Sequence, residues 1–431
     1  MDDAALPGFA VGDEMKPPPA HRSTTAHLQS VYPFVSSGGL DLGGPLLGRD
    51  LLGGPFRFDP WELYRQGVIT NPNIVVMGQI GRGKSTFVKT FISRQLAFGR
   101  RAWIVDPKGE YGPLAEAFGC RPVALVPGGA TRLNPLDVPA KSSGFDGRDS
   151  TCEASIRPRL ELAASLLASS LARPVNPEER AALEVAVRQV SKDFLRPTLP
   201  QLVEAMMAPD PAAAGAIGFE ARALASSSMT VAAEMRRMVR GDLAGMFDGP
   251  TTEGIGMDGQ LVVIDLSATF ASAALPLIMA CATAWLQASL SVEQPEKRLV
   301  VLDEAWAILS DFETARWTQS TFKLSRALGV SNLVVVHRLS DLRALGDDGS
   351  KQRKIADGLL ADSETRVCFA QSSSEVAATA SLVGLNSTES DALAHLPRGV
   401  ALWKVGDRSF LVEHLVSSSE RAMVDTDAAL R

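Results

Sequence analysis

Asn73-Ile74-Val75-Val76-Met77-Gly78-Gln79-Ile80-Gly81-Arg82-Gly83-Lys84-Ser85-Thr86 decides the fold. A short apolar run, Ile74 to Met77, reads as a buried parallel strand. Helical spacing begins at Thr86 and continues through Phe87, Val88, Lys89, Thr90, Phe91 and Ile92. Between them stands Gly78-x-x-x-x-Gly83-Lys84-Ser85, the spacing of a phosphate-binding loop. Glycines let backbone N–H groups curl around a polyphosphate. The helix that follows points its positive end at the same charge. Gly78, Gln79, Ile80, Gly81, Arg82, Gly83, Lys84, Ser85 and Thr86 are therefore the expected nucleotide cradle. Lys84 is expected on the β/γ-phosphates and the Ser85 hydroxyl on Mg²⁺.

The other half of such a site reads at 298–306, RLVVLDEAW. A buried strand ends there in two carboxylates, and the carboxyl end of a parallel strand faces the ligand crevice. Asp303 is expected to hold Mg²⁺ and Glu304 to polarise an attacking water. No LSGGQ-like signature occurs, and Asn134-Pro135-Leu136-Asp137 does not make an NKxD guanine reader. ATP with Mg²⁺ is the expected substrate and cofactor.

Working outward, strand, helix and strand alternate. Arg101–Asp106 reads as a strand, PKGEYGPLAEAFG as a turn and helix, and VALVPGGATRLNPLD as a further short strand and turn. This order is the grammar of a parallel sheet with crossover helices, so the fold class is α/β. The pattern changes near Pro139. From Cys152 to Met246 apolar residues fall at helical spacing, with prolines marking helix ends. Strand patterns then resume at QLVVIDLS, RLVVLDEAW, SNLVVVHRL, TRVCFAQ, VALWKVG and SFLVEHL. The expected organisation is a mobile tail at 1–30 and a β-rich lead-in at 31–70, covering the nucleotide site. The first half of the core follows at 71–140, an all-α insertion at 141–257, the second half at 258–415, and a C-terminal tail at 416–431.

Composition excludes several alternatives. With 431 residues the chain has room for two or three domains or one enlarged core, and 45% hydrophobic residues is ordinary. A net charge of −6 argues against a wholesale basic surface for nucleic acid. The four cysteines are scattered, without zinc or disulfide spacing, which fits a cytoplasmic protein. The acidic start lacks the basic and apolar regions of a signal peptide. Ala271–Leu290 carries no charge over the length of a membrane span. Its Ala, Ser and Thr content, with Pro276 and Gln287, favours a helix packed on the sheet.

VDPKGEYGPLAEAFG (105–119), RLNPLD (132–137), VVIDLS (262–267), VLDEAW (301–306) and LPRGVALWKVG (396–406) occur in this order. Together they resemble the VirB-type cytoplasmic ATPases of type IV secretion and conjugation, in the HerA/FtsK superfamily of P-loop NTPases. The resemblance runs from about residue 40 to 415. It implies a RecA-like core with an appended all-α domain, assembly into a homo-oligomeric, usually hexameric, ring, and work at the inner face of the cell membrane with secretion-channel proteins. A motor for protein or DNA transfer, or for channel assembly, is the function implied. A HerA/FtsK-like translocase binding double-stranded DNA without sequence preference is one alternative. A nucleotide-dependent scaffold with weak turnover is another. Two departures stand out. The family's large N-terminal docking domain has no counterpart beyond the tail and lead-in. His337 occupies the end of the sensor strand, where relatives commonly carry Gln. In rings of this kind a neighbour's arginine completes the site, and Arg366 is the first candidate, Arg326 the second. Asp106, Lys108, Glu110 and Tyr111 are candidate supporting residues.

Overall fold

The computed structural model describes residues 40, 43–137, 153–171, 173–253, 255, 259–288, 296–309, 312–337, 354–355, 358–359 and 362–424. Residues 1–30, expected as a mobile tail, lie outside the described residues. The strands are β1 (Leu46–Asp50), β2 (Gly54–Arg57), β3 (Ile74–Met77), β4 (Arg101–Asp106), β5 (Val123–Ala124), β6 (Leu261–Asp265), β7 (Arg298–Leu302), β8 (Val330–Val336), β9 (Thr365–Phe369), β10 (Val400–Val405) and β11 (Arg408–His414). They form one eleven-stranded sheet in the order β2-β1-β11-β10-β9-β3-β8-β7-β4-β6-β5. Every pairing from β9 to β5 is parallel, and every pairing from β9 to β2 is antiparallel. The sheet is thus a parallel core with an antiparallel wing.

β3 sits inside the sheet, so both its faces are covered and all four residues are apolar and buried. Side chains alternate between faces along a strand. Ile74 and Val76 join the core that contains Phe87, Phe91 and Ile92 of helix Lys84–Ala97. Val75 and Met77 join the opposite core, which also takes in the insertion helices. On the first face an aromatic stack ties the wing to the phosphate-loop helix. Phe87 lies 5.5 Å from Trp403 and 4.5 Å from His414, ring centre to ring centre, and Phe56 lies 5.0 Å from Trp403. Each such ring stabilises the fold by roughly 1.5–3 kcal/mol through burial.

Within the β-rich lead-in, β1 and β2 extend the antiparallel wing, and β11, β10 and β9 separate β1 from β3. That places β1 about 19 Å from the phosphate-loop strand at ordinary strand spacing. The segment also contains a helix, Pro60–Arg65, capped by Asp59. Residues up to 424, within the expected C-terminal tail, are structured as well. Helix Arg421–Val424 follows Glu420, whose carboxylate receives Arg94 of the phosphate-loop helix at 2.7 Å.

Helices Glu153–Leu171, Pro177–Asp193, Leu199–Met207, Pro211–Ala216 and Ala221–Arg240 fill the sequence between β5 and β6. Pro177, Pro200 and Pro211 sit in first turns, where a missing N–H costs nothing. Asn176 with Glu179, and Thr198 with Gln201, close capping boxes. Leu183, Val187, Leu202, Met206, Val231 and Met235 share one core with the sheet face. The RLNPLD segment ties the chain where it enters and leaves this region. The Asn134 amide donates to the Pro197 carbonyl at 2.9 Å, Arg132 pairs with Asp248 at 2.8 Å, and the Thr251 hydroxyl donates to Asp137 at 2.5 Å. Helix Leu275–Ala288, within the charge-free stretch, packs its buried residues into the same core. No described helix is long and apolar enough to cross a membrane.

Candidate nucleotide site

The parallel strands β3, β8, β7 and β4 are neighbours, so the residues after their carboxyl ends converge on one edge. The phosphate loop follows β3, His337 follows β8, Asp303 and Glu304 follow β7, and Lys108 lies just beyond β4.

Backbone geometry builds the phosphate loop. Gly78, Gly81 and Gly83 have φ of 147°, 79° and 106°, a region that side-chain-bearing residues avoid. A Cβ on Gly78 would lie 2.6 Å from Cβ of Phe369, so the loop packs directly on the end of β9. The Gln79 N–H donates to the Ala370 carbonyl, and the Gly399 N–H to the Arg82 carbonyl, both at 3.0 Å. The LPRG turn therefore buttresses the loop. Lys84, at the helix start, donates to the carbonyls of Gly78 and Gln79 at 2.5 and 2.8 Å. Burial pushes its ammonium down to about 8, opposed by the charges of Asp303 and Glu304. The phosphate-loop lysine thus lies in the field of the two carboxylates.

Side chains build the carboxylate cluster. Asp303 is buried; its Oδ1 accepts the Glu304 N–H at 2.9 Å and its Oδ2 the Tyr111 hydroxyl at 3.0 Å. Burial first, and the neighbouring Glu304 charge second, raise its pKa. Glu304 has φ of 51°, the one positive value at a non-glycine among the described residues. Such backbone strain concentrates at functional sites. Glu304 Oε1 receives both the Lys108 ammonium and His337 Nε2, the latter at 2.5 Å, while Oε2 accepts from Trp306 Nε1 at 2.5 Å. Burial works to raise the Glu304 pKa, but hydrogen bonds from His337 and Lys108 outweigh it and hold the carboxyl at about 2.

The structure brings together the phosphate loop, Lys84, Asp303, Glu304 and His337. Arg366 and Arg326 are elsewhere. Arg366 starts β9, three residues before Phe369, and its guanidinium donates to the Val383 carbonyl at 3.2 Å. Arg326 is exposed in the last turn of helix Phe312–Leu328, ahead of β8. Tyr111 on Asp303, Lys108 on Glu304 and Trp306 on Glu304 are contacts that sequence reasoning did not assign. The DEAW and DPKGEY segments carry all three.

Ser85 and Asp303 supply hydroxyl and carboxylate oxygens, the hard donors that suit Mg²⁺. Among the described residues no group of three or more His, Cys, Asp and Glu forms a protein-only metal cage. When bound, Mg²⁺ neutralises charge on the transferring phosphate.

No protein-family model matches the chain, and no curated protein matches it. Solved structures do. VirB4 of Thermoanaerobacter pseudethanolicus superposes with a TM-score of 0.71 at 21% identity, covering 89% of this chain and 100% of that one. The chain has the fold of VirB4. The plasmid coupling protein TrwB shares it more distantly. Its complex with a non-hydrolysable ATP analogue aligns at a TM-score of 0.53 and 15% identity, over 88% of this chain and 91% of that one. Its complex with ADP and Mg²⁺ aligns at 0.50 and 16%, over 88% and 92%. At the level of fold, the VirB4 match agrees with what the five sequence motifs imply.

Proposed function

We propose that the chain is an ATP-hydrolysing motor subunit of the type IV secretion and conjugation kind. One observation carries the reading: a glycine-built phosphate loop after β3 and a strand-end Asp303-Glu304 pair after β7 lie on the same edge of one parallel sheet, with only β8 between those strands. The phosphate loop cradles the ATP phosphates, Lys84 moves from the loop carbonyls to the β/γ-phosphates, and Ser85 and Asp303 hold Mg²⁺. Glu304 orients the attacking water, with His337 beside it. TrwB, which shares the fold, binds an ATP analogue and ADP with Mg²⁺, and this supports the same ligands here.

The two candidate arginines support a ring. Arg366 lies near the start of β9, about 10 Å along the strand from the loop contact at Phe369, and Arg326 lies in helix Phe312–Leu328, before β8 begins and so at the far end of that strand from His337. A residue remote from its own site suits action on a neighbour's site. Arg326 is exposed and Arg366 is half-buried on Val383, so Arg326 is the more available. A membrane-channel partner at the cytoplasmic face is the proposed receiver of the work.

The test is ATP turnover per subunit against protein concentration, with and without double-stranded DNA. Turnover that rises with concentration, and is lost in Lys84→Ala, supports the ring motor. Mixing Lys84→Ala with Arg326→Ala or Arg366→Ala subunits should restore part of it. High turnover at the lowest concentration, unchanged on mixing, contradicts the ring. Stimulation by DNA that disappears at high salt replaces secretion with DNA translocation as the task.

A further inference from the structure

The loop after β4 is built around one buried carboxylate. Asp106 Oδ1 accepts the N–H groups of Lys108 and Gly109 at 3.2 and 2.9 Å, and Oδ2 accepts that of Tyr111 at 2.9 Å. Gly109, with φ of 72°, runs so near Ser267 that a Cβ would sit 3.1 Å from the serine Cβ. This fixed loop aims one side chain at each carboxylate of the adjacent strand, Tyr111 at Asp303 and Lys108 at Glu304.

The two contacts differ in kind. Tyr111 is fully buried and rigid, whereas Lys108 is part-exposed, on a flexible stem with three rotatable donors. Its ammonium shares Glu304 Oε1 with His337, and Trp306 takes Oε2. Both oxygens that could hold an attacking water are therefore engaged, one of them by a cation able to re-aim without backbone movement. Lys108 lies just beyond β4, on the same sheet edge as the phosphate loop, and its ammonium is 3.5 Å from His337 Nε2 at the end of β8, the strand beside β3.

We propose that Lys108 is a positioning residue that reads the terminal phosphate: it rests on Glu304 and transfers to the γ-phosphate of a nucleoside triphosphate, leaving Glu304 Oε1 to His337 and an attacking water. This rests on the ATP reading of the site. A phosphate group carries about −1.5 to −2 charges against the single charge of a carboxylate, so it competes effectively for one ammonium. A diphosphate ends one group short and leaves the pair intact. Lys108 and Glu304 are then competitors for phosphate charge as well as partners.

The experiment measures binding of a non-hydrolysable ATP analogue and of ADP to the wild type, Lys108→Met, Glu304→Gln and the double variant. Lys108→Met should weaken the triphosphate about tenfold, or ~1.4 kcal/mol, while moving ADP less than about twofold. Glu304→Gln should tighten the triphosphate by roughly fivefold, and that gain should vanish in the double variant, the signature of a coupled pair. Lys108→Arg should keep the preference for triphosphate, and it stands in where Lys108→Met does not fold. Equal weakening of both nucleotides assigns Lys108 a merely structural role and overturns the proposal. So does a Glu304→Gln gain that persists without Lys108. A wild-type chain that binds neither nucleotide overturns the ATP reading itself, a result distinct from both.

Discussion

The phosphate loop and the carboxylate cluster face each other across one sheet edge, and they are built in opposite ways. The loop is made by backbone: three glycines at positive φ, a helix start, an Arg82 carbonyl that accepts from Gly399, and a Gln79 N–H that donates to the Ala370 carbonyl just past β9. The cluster is made by side chains that arrive from different strands. Lys108 and Tyr111 come from beyond β4, His337 from beyond β8, and Trp306 from the turn after β7. The loop takes its conformation from its own glycines and its anchorage from β9 and Gly399. A tertiary device forms only when the whole sheet has assembled, and each of its members can be tuned separately.

The comparison predicts a different kind of failure on each side. Gly78→Ala should be the most damaging to stability. The new methyl group meets Phe369 at a distance no real Cβ tolerates, and the residue is held at positive φ. The strain alone costs about 1–3 kcal/mol, and the clash adds to it. A urea unfolding midpoint indistinguishable from wild type would show that the loop is not locked onto β9.

Tyr111→Phe should do less to the fold and more to the cluster. It removes the hydroxyl that Asp303 Oδ2 accepts and leaves a buried oxygen without that partner, at a cost of about 1–3 kcal/mol. Mg²⁺-dependent nucleotide binding should weaken while Mg²⁺-independent binding holds. Equal loss with and without Mg²⁺ would make Tyr111 a packing residue.

A pH-dependent effect separates the aromatic stack from the charged edge. The His414 ring accepts from Trp403 Nε1 at 3.0 Å and faces the Gly399 carbonyl at 3.2 Å with its other nitrogen. Burial among Phe87, Phe369 and Trp403 pushes it down to about 3, from an ordinary value of 6.5. Between those values the unfolded chain binds a proton that the folded chain refuses. Stability from this group is therefore complete above pH 6.5 and declines as the pH falls toward 3, by at most about 1.4 kcal/mol per unit. The residue retains some solvent contact, so the slope should fall short of that limit. His414→Asn should flatten the fall in melting temperature between pH 6.5 and 4. An unchanged slope would place the acid sensitivity elsewhere.

How much of this was legible in the sequence follows the same divide. The phosphate loop and the Asp303-Glu304 strand end were readable because each is a short segment whose spacing states its chemistry. The strands from β6 to β10 were readable as mostly buried apolar runs, and β11 as an alternating one. What could not be read was adjacency. Nothing local in residues 46–57 says that they join the wing beside β11, because edge order is set by pairing with the chain's far end. Lys108 was visible as a residue near the site, but its partner lies on another strand. Trp306 looked like part of a motif, and only the strained backbone at Glu304 shows why an indole stands two residues later. His337 was visible at the end of the sensor strand, but its partner, Glu304, follows a different strand.

The most direct test of the account is single-turnover hydrolysis of bound ATP by Glu304→Gln. Gln cannot act as the water-polarising base, while Asp303, Ser85 and Lys84 remain to hold nucleotide and Mg²⁺. The account predicts ATP binding at least as tight as wild type, with the hydrolysis step slowed by ~10²-fold or more, the scale of lost general-base catalysis. An unchanged rate for the bound nucleotide would contradict the assignment of Glu304 and, with it, the reading of this edge as a hydrolytic site.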